Sequence, residues 1–583
     1  MKLHNISKVL GVGIAALLLT ACKDGNDWSV DSSKARVFSV SSTDISIDRE
    51  MTQATVTFKP TKGVENYTLE VSPSELNDNV VEGAAAGTKV INISSKEVNK
   101  EGKIEYTITG LKKDTRYWLR VRSNASGKTA SKWTYYEDSS KHRYFKTKAE
   151  QIFSTYTYFA TKTISPKQLK ENEVILKWKA DEGSETAAVT HLVLTVGKNE
   201  PTTITLDATD IAARSKTLKY ADYGIGANTE FNVIIYNNDD KRGEFTLTSP
   251  KERPAGLHVL DETTETIEGL IAAATGNIAI GIPATPEKDS EGNTITDPID
   301  AAISVSTITI PEGVSVTLYG LPGGLPRCIK LTKNMEVGGN HGWIRFENLQ
   351  INDDGAKYIF NQKTECNIDE VSFTNVSLYK FANSVVRLSN DSPNKRIKKL
   401  TMNYCLVENQ KGGAFIYNNN AATSFFNEIT ITNSTFNGLE HSFINVAKSE
   451  ASKIVISNVT FYNIIGNDRY FIDANEVETT IECNRCIFAK TNNKNAKGIR
   501  TKFTELEDEA SRTNYSFGTS YMTSDFTFKI GDNNDVRTGR PFSAGTTVPS
   551  SSKFFKEPKE GNFMLTEASI EGGDPRWIEP TDD

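Results

Sequence analysis

Six short segments in the second half of the chain carry the side chains best able to do chemistry together. They read Tyr358-Ile-Phe-Asn361, Val385-Val-Arg-Leu388, Phe415-Ile-Tyr-Asn418, Phe443-Ile-Asn-Val446, Phe471-Ile-Asp-Ala474 and Gly498-Ile-Arg-Thr501. As strands, they alternate between two faces. With the second position turned inward, the third points outward as a column: Phe360, Arg387, Tyr417, Asn445, Asp473 and Arg500. The fourth position then points inward as Asn361, Leu388, Asn418, Val446, Ala474 and Thr501, mostly small or apolar. The opposite parity would bury Arg387, Asp473 and Arg500 unpaired, at about several kcal/mol each. Strict alternation leaves one question open. Phe415, Phe443 and Phe471 at the first position turn inward only if the strand bends between its first and second residues.

The outward column mixes guanidinium, phenol, amide and carboxylate groups along a stripe where an extended glycan could lie. Arginine can fork onto a uronate carboxylate. Tyrosine offers a stacking face and a hydroxyl. An ordinary solvated sheet face would look the same in sequence. Cleavage next to a uronate by β-elimination asks for more: clustered carboxylates to hold calcium and a Lys or Arg base. Arg387, Asp473 and Arg500 are the set the sequence offers for it, and Asp369 and Glu428 fall in other strands or corners. Calcium is expected only if the protein is such a lyase; otherwise no cofactor and no metal site is expected. Cys483-Asn-Arg-Cys486 invites a redox or zinc reading. Zinc needs two further ligands and no second cysteine pair exists, so these read as cysteines in a repeat strand. The run Lys395-Arg396-Ile-Lys398-Lys399 reads as a solvated loop, or else as an electrostatic lure for an acidic polymer.

The elements that must position this column come from a repeat, apolar-x-apolar-x-Asn-x-x-apolar. It appears as Ile344–Ile351, Val371–Leu378, Leu400–Val407, Ile429–Phe436, Ile454–Phe461 and Ile481–Phe488. Its fifth position runs Asn348, Asn375, Tyr404, Asn433, Asn458 and Arg485, with gaps of 27, 29, 29, 25 and 27 residues. Strand, corner and strand at that period describe one coil of a parallel β-helix, stacked at about 4.8 Å. Asparagines stacked at a corner can bond one another and satisfy the backbone there, so this column reads as structural. Thr266–Ala274 reads as a short amphipathic helix capping the open end of the stack. Strands are expected at Ile308–Ile310 and Val316–Leu318.

Upstream the period changes. Residues 36–148 hold alternating strands at Ala54–Phe58, Tyr67–Val71 and Ile104–Ile108, then Leu111–Val121. In the last, Tyr117, Leu119 and Val121 share one face while Arg120 and Arg122 share the other. This stretch, closing on Phe145-Lys-Thr147, resembles a fibronectin type III sandwich. Residues 149–252 repeat the plan more weakly, through Val174–Trp178, His191–Thr195 and Thr229–Ile235. Each segment has the size of one such domain, about 100 residues. The expected fold is thus all-β: two fibronectin type III-like β-sandwiches followed by a right-handed parallel β-helix over 253–583.

The chain begins with Lys2 and Lys8, an apolar run Val9–Leu19, then Thr20-Ala21-Cys22. The run is shorter than the about 20 apolar residues a membrane span needs and reads as a signal peptide over 1–21. Leu-Thr-Ala before a cysteine resembles the bacterial lipobox, which implies cleavage before Cys22 and its acylation. Residues 22–35 read as a flexible tether. Within it, Lys23–Asp27 resembles the export signal of surface lipoproteins in Gram-negative glycan foragers, with periplasmic retention left open. The net charge is −7 with acids and bases well mixed, which argues against nucleic acid as a partner.

Parallel β-helices of this hand serve pectate lyases, polygalacturonases and chondroitinase-type lyases. A polygalacturonase would show Asn-Thr-Asp, Asp-Asp, Gly-His-Gly and Arg-Ile-Lys in order. Here Asn340-His-Gly342, Asp353-Asp354 and Arg396-Ile-Lys398 are incomplete or misplaced and read as coincidence. The chain as a whole resembles lipoproteins encoded beside SusC/SusD-type glycan importers, which pair sandwich modules with a C-terminal pectate-lyase-like β-helix. Gly561–Leu565 and Gly573–Trp577 look like that family's closing coil. The resemblance implies an outer-membrane, outward-facing lipoprotein anchored through Cys22. It implies a plant polysaccharide, pectic in type, as partner, and a SusC/SusD-type complex beside it. The expected activity is binding without catalysis, with a calcium-dependent polysaccharide lyase as the alternative and a purely adhesive stalk as a third reading.

Overall fold

The computed structural model describes residues 36–578 apart from 139–140, 159–160, 290, 336, 391–393, 419–422, 448–450, 475–478, 502–514, 528–544 and 567–569. The signal-peptide, tether and Cys22 readings lie outside the described residues. The chain divides into two compact units, Met1–Gln151 with Lys241–Gly243, and Ile152–Asp240 with Glu244–Asp583.

The first sandwich packs a three-stranded antiparallel sheet (Ser46–Arg49, Gln53–Phe58, Ile104–Thr109) against a second sheet built on Lys89–Ser94, Asn66–Ser72 and Arg116–Asn124. Alternation places Ala54, Val56 and Phe58 in the core opposite Tyr67, Leu69, Leu119 and Val121. The face opposite that core is not left to solvent. Arg120 is fully buried. Its Nε donates to Glu70 Oε2 at 2.7 Å and its Nη1 and Nη2 to the carbonyls of Asn77 and Val80 at 2.7 and 2.8 Å. Its guanidinium also lies 4.3 Å from the Trp133 ring. The second sandwich repeats the layout with Glu173–Lys177 and Ser215–Lys219 facing a four-stranded sheet ordered Thr202–Thr205, His191–Val196, Glu230–Asn237, Asp240–Thr248. Both have the layout of a fibronectin type III-like domain.

The remainder winds as a parallel β-helix of three sheets. The first contains Val316–Gly320, Gly339–Glu347, Cys366–Thr374 and Lys395–Asn403, and the second Cys328–Leu331, Gln350–Asp353, Ser377–Tyr379 and Leu406–Gln410. Phe425–Leu439 and Ala451–Ile464 run through both, bending at the corner between them. The third sheet has six strands: Phe360–Gln362, Val386–Leu388, Ile416–Asn418, Ile444–Asn445, Tyr470–Ala474 and Lys497–Thr501. The repeat stacks in the register its spacing implies, with Ile344, Val371, Leu400, Ile429, Ile454 and Ile481 in line.

Inside, two phenylalanine ladders interlock. Phe415, Phe443 and Phe471 stack at 5.8 and 5.2 Å, and Phe436, Phe461 and Phe488 at 5.5 and 5.2 Å. Edge-to-face contacts of 4.8–5.1 Å join the two columns, the arrangement favoured by the ring quadrupole. The helix Ile267–Ala272, N-capped by Thr266, adds Ile267 and Ile271 to the same core.

The corner column owes its asparagines to backbone geometry. Asn348, Asn375, Tyr404, Asn433, Asn458 and Arg485 all have φ between 48° and 56°. Asparagine visits this left-handed region more readily than most side chains. A second such column follows the second sheet, at Lys380, Asn409, Gly438, Asn463 and Lys490.

Several expectations need correction. The strand expected at Ile308–Ile310 is irregular; the strand is Ile303–Val305. The basic run at 395–399 is no loop but the start of strand Lys395–Asn403, in which Lys395 is fully buried. The C-terminal segment does not close the stack. It folds back over the outer face of the second sheet as a hairpin (Phe555–Glu557 with Asn562–Leu565) and a turn at Pro575–Trp577. Asp574 accepts from Thr435 Oγ1 at 2.7 Å, and Trp577 Nε1 donates to the same hydroxyl at 2.7 Å. A second apolar cluster forms beneath it, from Tyr462, Ile487, Phe554, Phe563 and Trp577.

Candidate functional site

The third sheet brings the column together. Arg387 pairs with Tyr417, Tyr417 with Asn445, Asn445 with Asp473 and Asp473 with Arg500. One side chain per coil therefore stands on one stripe.

Phe360 does not belong to it. It is fully buried and pairs with Val386, edge-on to Phe346 at 6.2 Å, while Asn361 stands beside Arg387. The cause is the bend left open by the alternation. In five successive coils the first two apolar residues both turn inward at the corner: Ile359 and Phe360, Val385 and Val386, Phe415 and Ile416, Phe443 and Ile444, Phe471 and Ile472. The amides of Ile359 and Phe360 both donate to the Val385 carbonyl at 3.0 Å, which marks the bend. Tyr358-Ile-Phe offers three apolar residues in a row, so the register there slips by one. Gln362 then becomes the inward residue, and its Oε1 accepts from the Val337 amide at 2.8 Å.

Two distinct arrangements occupy the stripe. Around Arg387, the guanidinium carbon lies 5.8 Å from the rings of both Tyr358 and Tyr417, and Nη1 donates to the Tyr358 hydroxyl at 3.2 Å. Its Nε is buried without a hydrogen-bond partner. Burial pushes the Tyr417 phenol up, against the opposing pull of Arg387 and Arg469. Further along, Asp473 occupies an outward position yet is buried. Arg500 forks onto it, Nε to Oδ1 at 3.0 Å and Nη2 to Oδ2 at 2.8 Å, and lies 4.3 Å over the Tyr470 ring. Between the two, Asn445 Oδ1 accepts from the Ala447 amide at 3.1 Å.

The sequence reading missed Tyr358, Arg469, Tyr470 and His441. Tyr358 and Tyr470 sit directly before the inward apolar pair, and that position is the signal that could have found them. His441 Nδ1 is buried without a partner, and burial together with Arg469 lowers its pKa to about 4.

The remaining candidates stay apart. Asp369 and Glu428 belong to the first sheet, where Asp369 pairs with Lys398 at 2.5 Å and Glu428 accepts from Thr430 at 2.7 Å. Among the described residues no three His, Cys, Asp or Glu side chains gather as metal ligands. His341 is buried with both ring nitrogens 2.8 Å from backbone carbonyls of Val314 and Gly338. Asp353 accepts from the amides of Gly355, Lys357 and Ala382 and so ties a corner. Cys483 and Cys486 are buried thiols, both raised by burial. The stripe is thus equipped to hold an anion and stack a ring, with its carboxylate already committed to an arginine.

A family described as "Domain of unknown function (DUF5123)" matches residues 454–577, the last coils together with the C-terminal fold-back. No curated protein matches the chain. Among solved structures, a two-domain fibronectin type III segment of chicken tenascin is 13% identical and covers 37% of this chain and 100% of its own, with a TM-score of 0.18. The first three fibronectin domains of chicken CNTN1 are 11% identical and cover 37% of this chain and 68% of their own, with a TM-score of 0.14.

Proposed function

We propose that this protein is a surface lipoprotein that retains an acidic, pectin-like polysaccharide on the third sheet of its β-helix without cleaving it. The observation that carries the reading is the row Arg387, Tyr417, Asn445, with Arg387 placed between two tyrosine rings. A guanidinium held in that way is pre-oriented to fork onto a uronate, and the rings offer apolar faces to the sugar. Arg469, Lys497 and Arg500 add positive charge nearby, against Asp468 and Asp473. The bidentate bond from Arg500 favours binding over catalysis, because it occupies the carboxylate that calcium would need. In this reading acylated Cys22 anchors the chain in the outer membrane facing outward, and a SusC/SusD-type importer receives the glycan.

The test is affinity electrophoresis of the full chain in gels containing polygalacturonate. Retardation is expected, and Arg387→Ala should weaken it about tenfold to a hundredfold, the worth of a charge-assisted bond of about 1.5–3 kcal/mol. Unretarded migration of the wild-type protein would overturn the proposal.

A further inference from the structure

A different row crosses the outer face of the second sheet. Asn352, Tyr379, Glu408, Asn437 and Tyr462 stand in register, one per coil. Two clefts open over this row and meet at Glu408 and Asn409. One, of about 390 Å³, is walled by Asp297–Ile299 and floored by Asn352 and Tyr379. The other, of about 450 Å³, is walled by the Pro558–Gly561 turn and floored by Asn437 and Tyr462. The C-terminal fold-back thus builds one wall of a groove whose floor the coils supply.

Glu408 sits where the clefts join. Asn437 Nδ2 donates to its Oε1 at 3.4 Å. The turn comes so close that a Cβ added at Gly561 would stand 3.6 Å from that same oxygen, and Gly561 has a φ of +77° that favours glycine. Burial raises the Glu408 carboxyl above the usual range. Lys380, Lys490 and Lys559 face Asp297 and Glu560 on the rim and Glu408 on the floor, so the groove has no marked bias for a polyanion. Asn352 and Tyr462 are buried beneath the groove, and its floor instead offers the amides of Asn409 and Asn437, which both donate and accept, the Glu408 carboxyl group and the Tyr379 ring. Those groups complement a ligand with many hydroxyls and an apolar ring face.

The geometry points to a second saccharide site in this groove, selective for an uncharged glycan and independent of the acidic-glycan site on the third sheet. Tyr379 provides the stacking face, and Glu408 and Asn437 bind hydroxyl groups. The site needs the C-terminal fold-back, because without the 558–561 turn the row is an open sheet face.

Affinity electrophoresis of the full chain in gels of β-1,4-galactan, arabinan and xyloglucan, run beside polygalacturonate, tests this. At least one neutral glycan should retard the wild-type protein. Tyr379→Ala and Glu408→Ala should each weaken that retardation tenfold or more and leave retardation by polygalacturonate unchanged. Tyr379→Leu, which keeps the bulk, replaces Tyr379→Ala if the latter loses its cooperative melt. The inference falls if none of the three neutral glycans retards the wild type, or if the Tyr379 and Glu408 variants bind them normally. It falls also if Arg387→Ala abolishes neutral retention, since both glycan classes would then share the third sheet. Loss of polygalacturonate binding alone would sink only the first proposal.

Discussion

Asp473→Asn separates binding from catalysis more sharply than any other single change. The side chain of Asp473 is 8% exposed and that of its partner Arg500 is 25% exposed. Two bonds, at 3.0 and 2.8 Å, join them. The amide keeps the shape and one acceptor but removes the charge. Losing a charge-assisted bond at such a site should lower stability by about 1–3 kcal/mol. The effect on a bound polyuronate has the opposite sign. A negative charge about 4 Å from a ligand charge repels it by about 1 kcal/mol in water and about 4 at an effective dielectric of 20. The stripe is a half-open surface, so about 1–2 kcal/mol is the reasonable figure, a gain in affinity of roughly fivefold to thirtyfold. Arg500, released from its fork, can then point at the ligand. The gain must shrink with salt, as the Debye length falls from about 10 Å at 0.1 M to about 3 Å at 1 M. Calorimetric titration with oligogalacturonate at both salt levels, with a thermal melt to confirm folding, measures all of this. A folded Asp473→Asn protein that binds oligogalacturonate ten times more weakly than wild type would refute the reasoning. It would make the carboxylate itself a ligand group, as a calcium-dependent lyase requires.

Two further outcomes follow from buried groups. Arg120→Ala strands Glu70 in the first sandwich and should destabilise that unit by about 3–5 kcal/mol; urea unfolding should show one transition shifted and the rest unmoved. Arg120→Lys should rescue little, because a lysine cannot reach Glu70, two carbonyls and the Trp133 face together. His441 titrates near 4 when folded and near 6.5 when unfolded, so the stability it contributes is complete above about 6.5 and is lost as pH falls toward 4. That loss is on the order of 2–3 kcal/mol for a partly exposed group. His441→Gln should flatten the fall in melting temperature across this window.

What the sequence discloses and what it hides divide along a physical line. Periodic features are legible, because each coil repeats the same environment: the stack, its register and all five polar members of the stripe follow from spacing alone. For Asp473 spacing gives the outward position but not the burial. Alternation gives the direction of a side chain, not what packs over it. Arg120 misleads in the same way, since a loop and Trp133 cover the face that alternation assigns to water. Phe360 escapes the pattern because three consecutive apolar residues fit two registers equally well, and only the core and the Val337 backbone choose between them. The C-terminal fold-back was out of reach. Its contacts, Asp574 to Thr435 and Trp577 to the same hydroxyl, link residues far apart in sequence with no repeat to announce them. The groove around Glu408 depends on that fold-back and was hidden with it.

The corner column allows the two explanations of its asparagines to be set against each other. If side-chain bonding selects asparagine, neighbours should bond along the whole column. Asn375 Nδ2 does donate to Asn348 Oδ1 at 3.0 Å, but Asn433 donates to Asn403, which lies outside the column, at 2.9 Å. If the backbone selects it, every member should share the left-handed conformation, and all six do, Tyr404 and Arg485 included, at φ of 54° and 51°. A side chain other than Gly, Asn or Asp is disfavoured there by roughly 1–2 kcal/mol. Glycine gives back about 0.5–1 kcal/mol of that through the entropy of the unfolded chain. Tyr404 is 40% exposed, so its ring forfeits little contact on removal. Tyr404→Gly should therefore raise stability by about 0.5–1 kcal/mol, measured by urea unfolding of the β-helix transition. The bonding account predicts no gain, because glycine brings no donor to the column. A Tyr404→Gly protein less stable than wild type would show that the ring's packing, and not the strain at its φ, governs that corner.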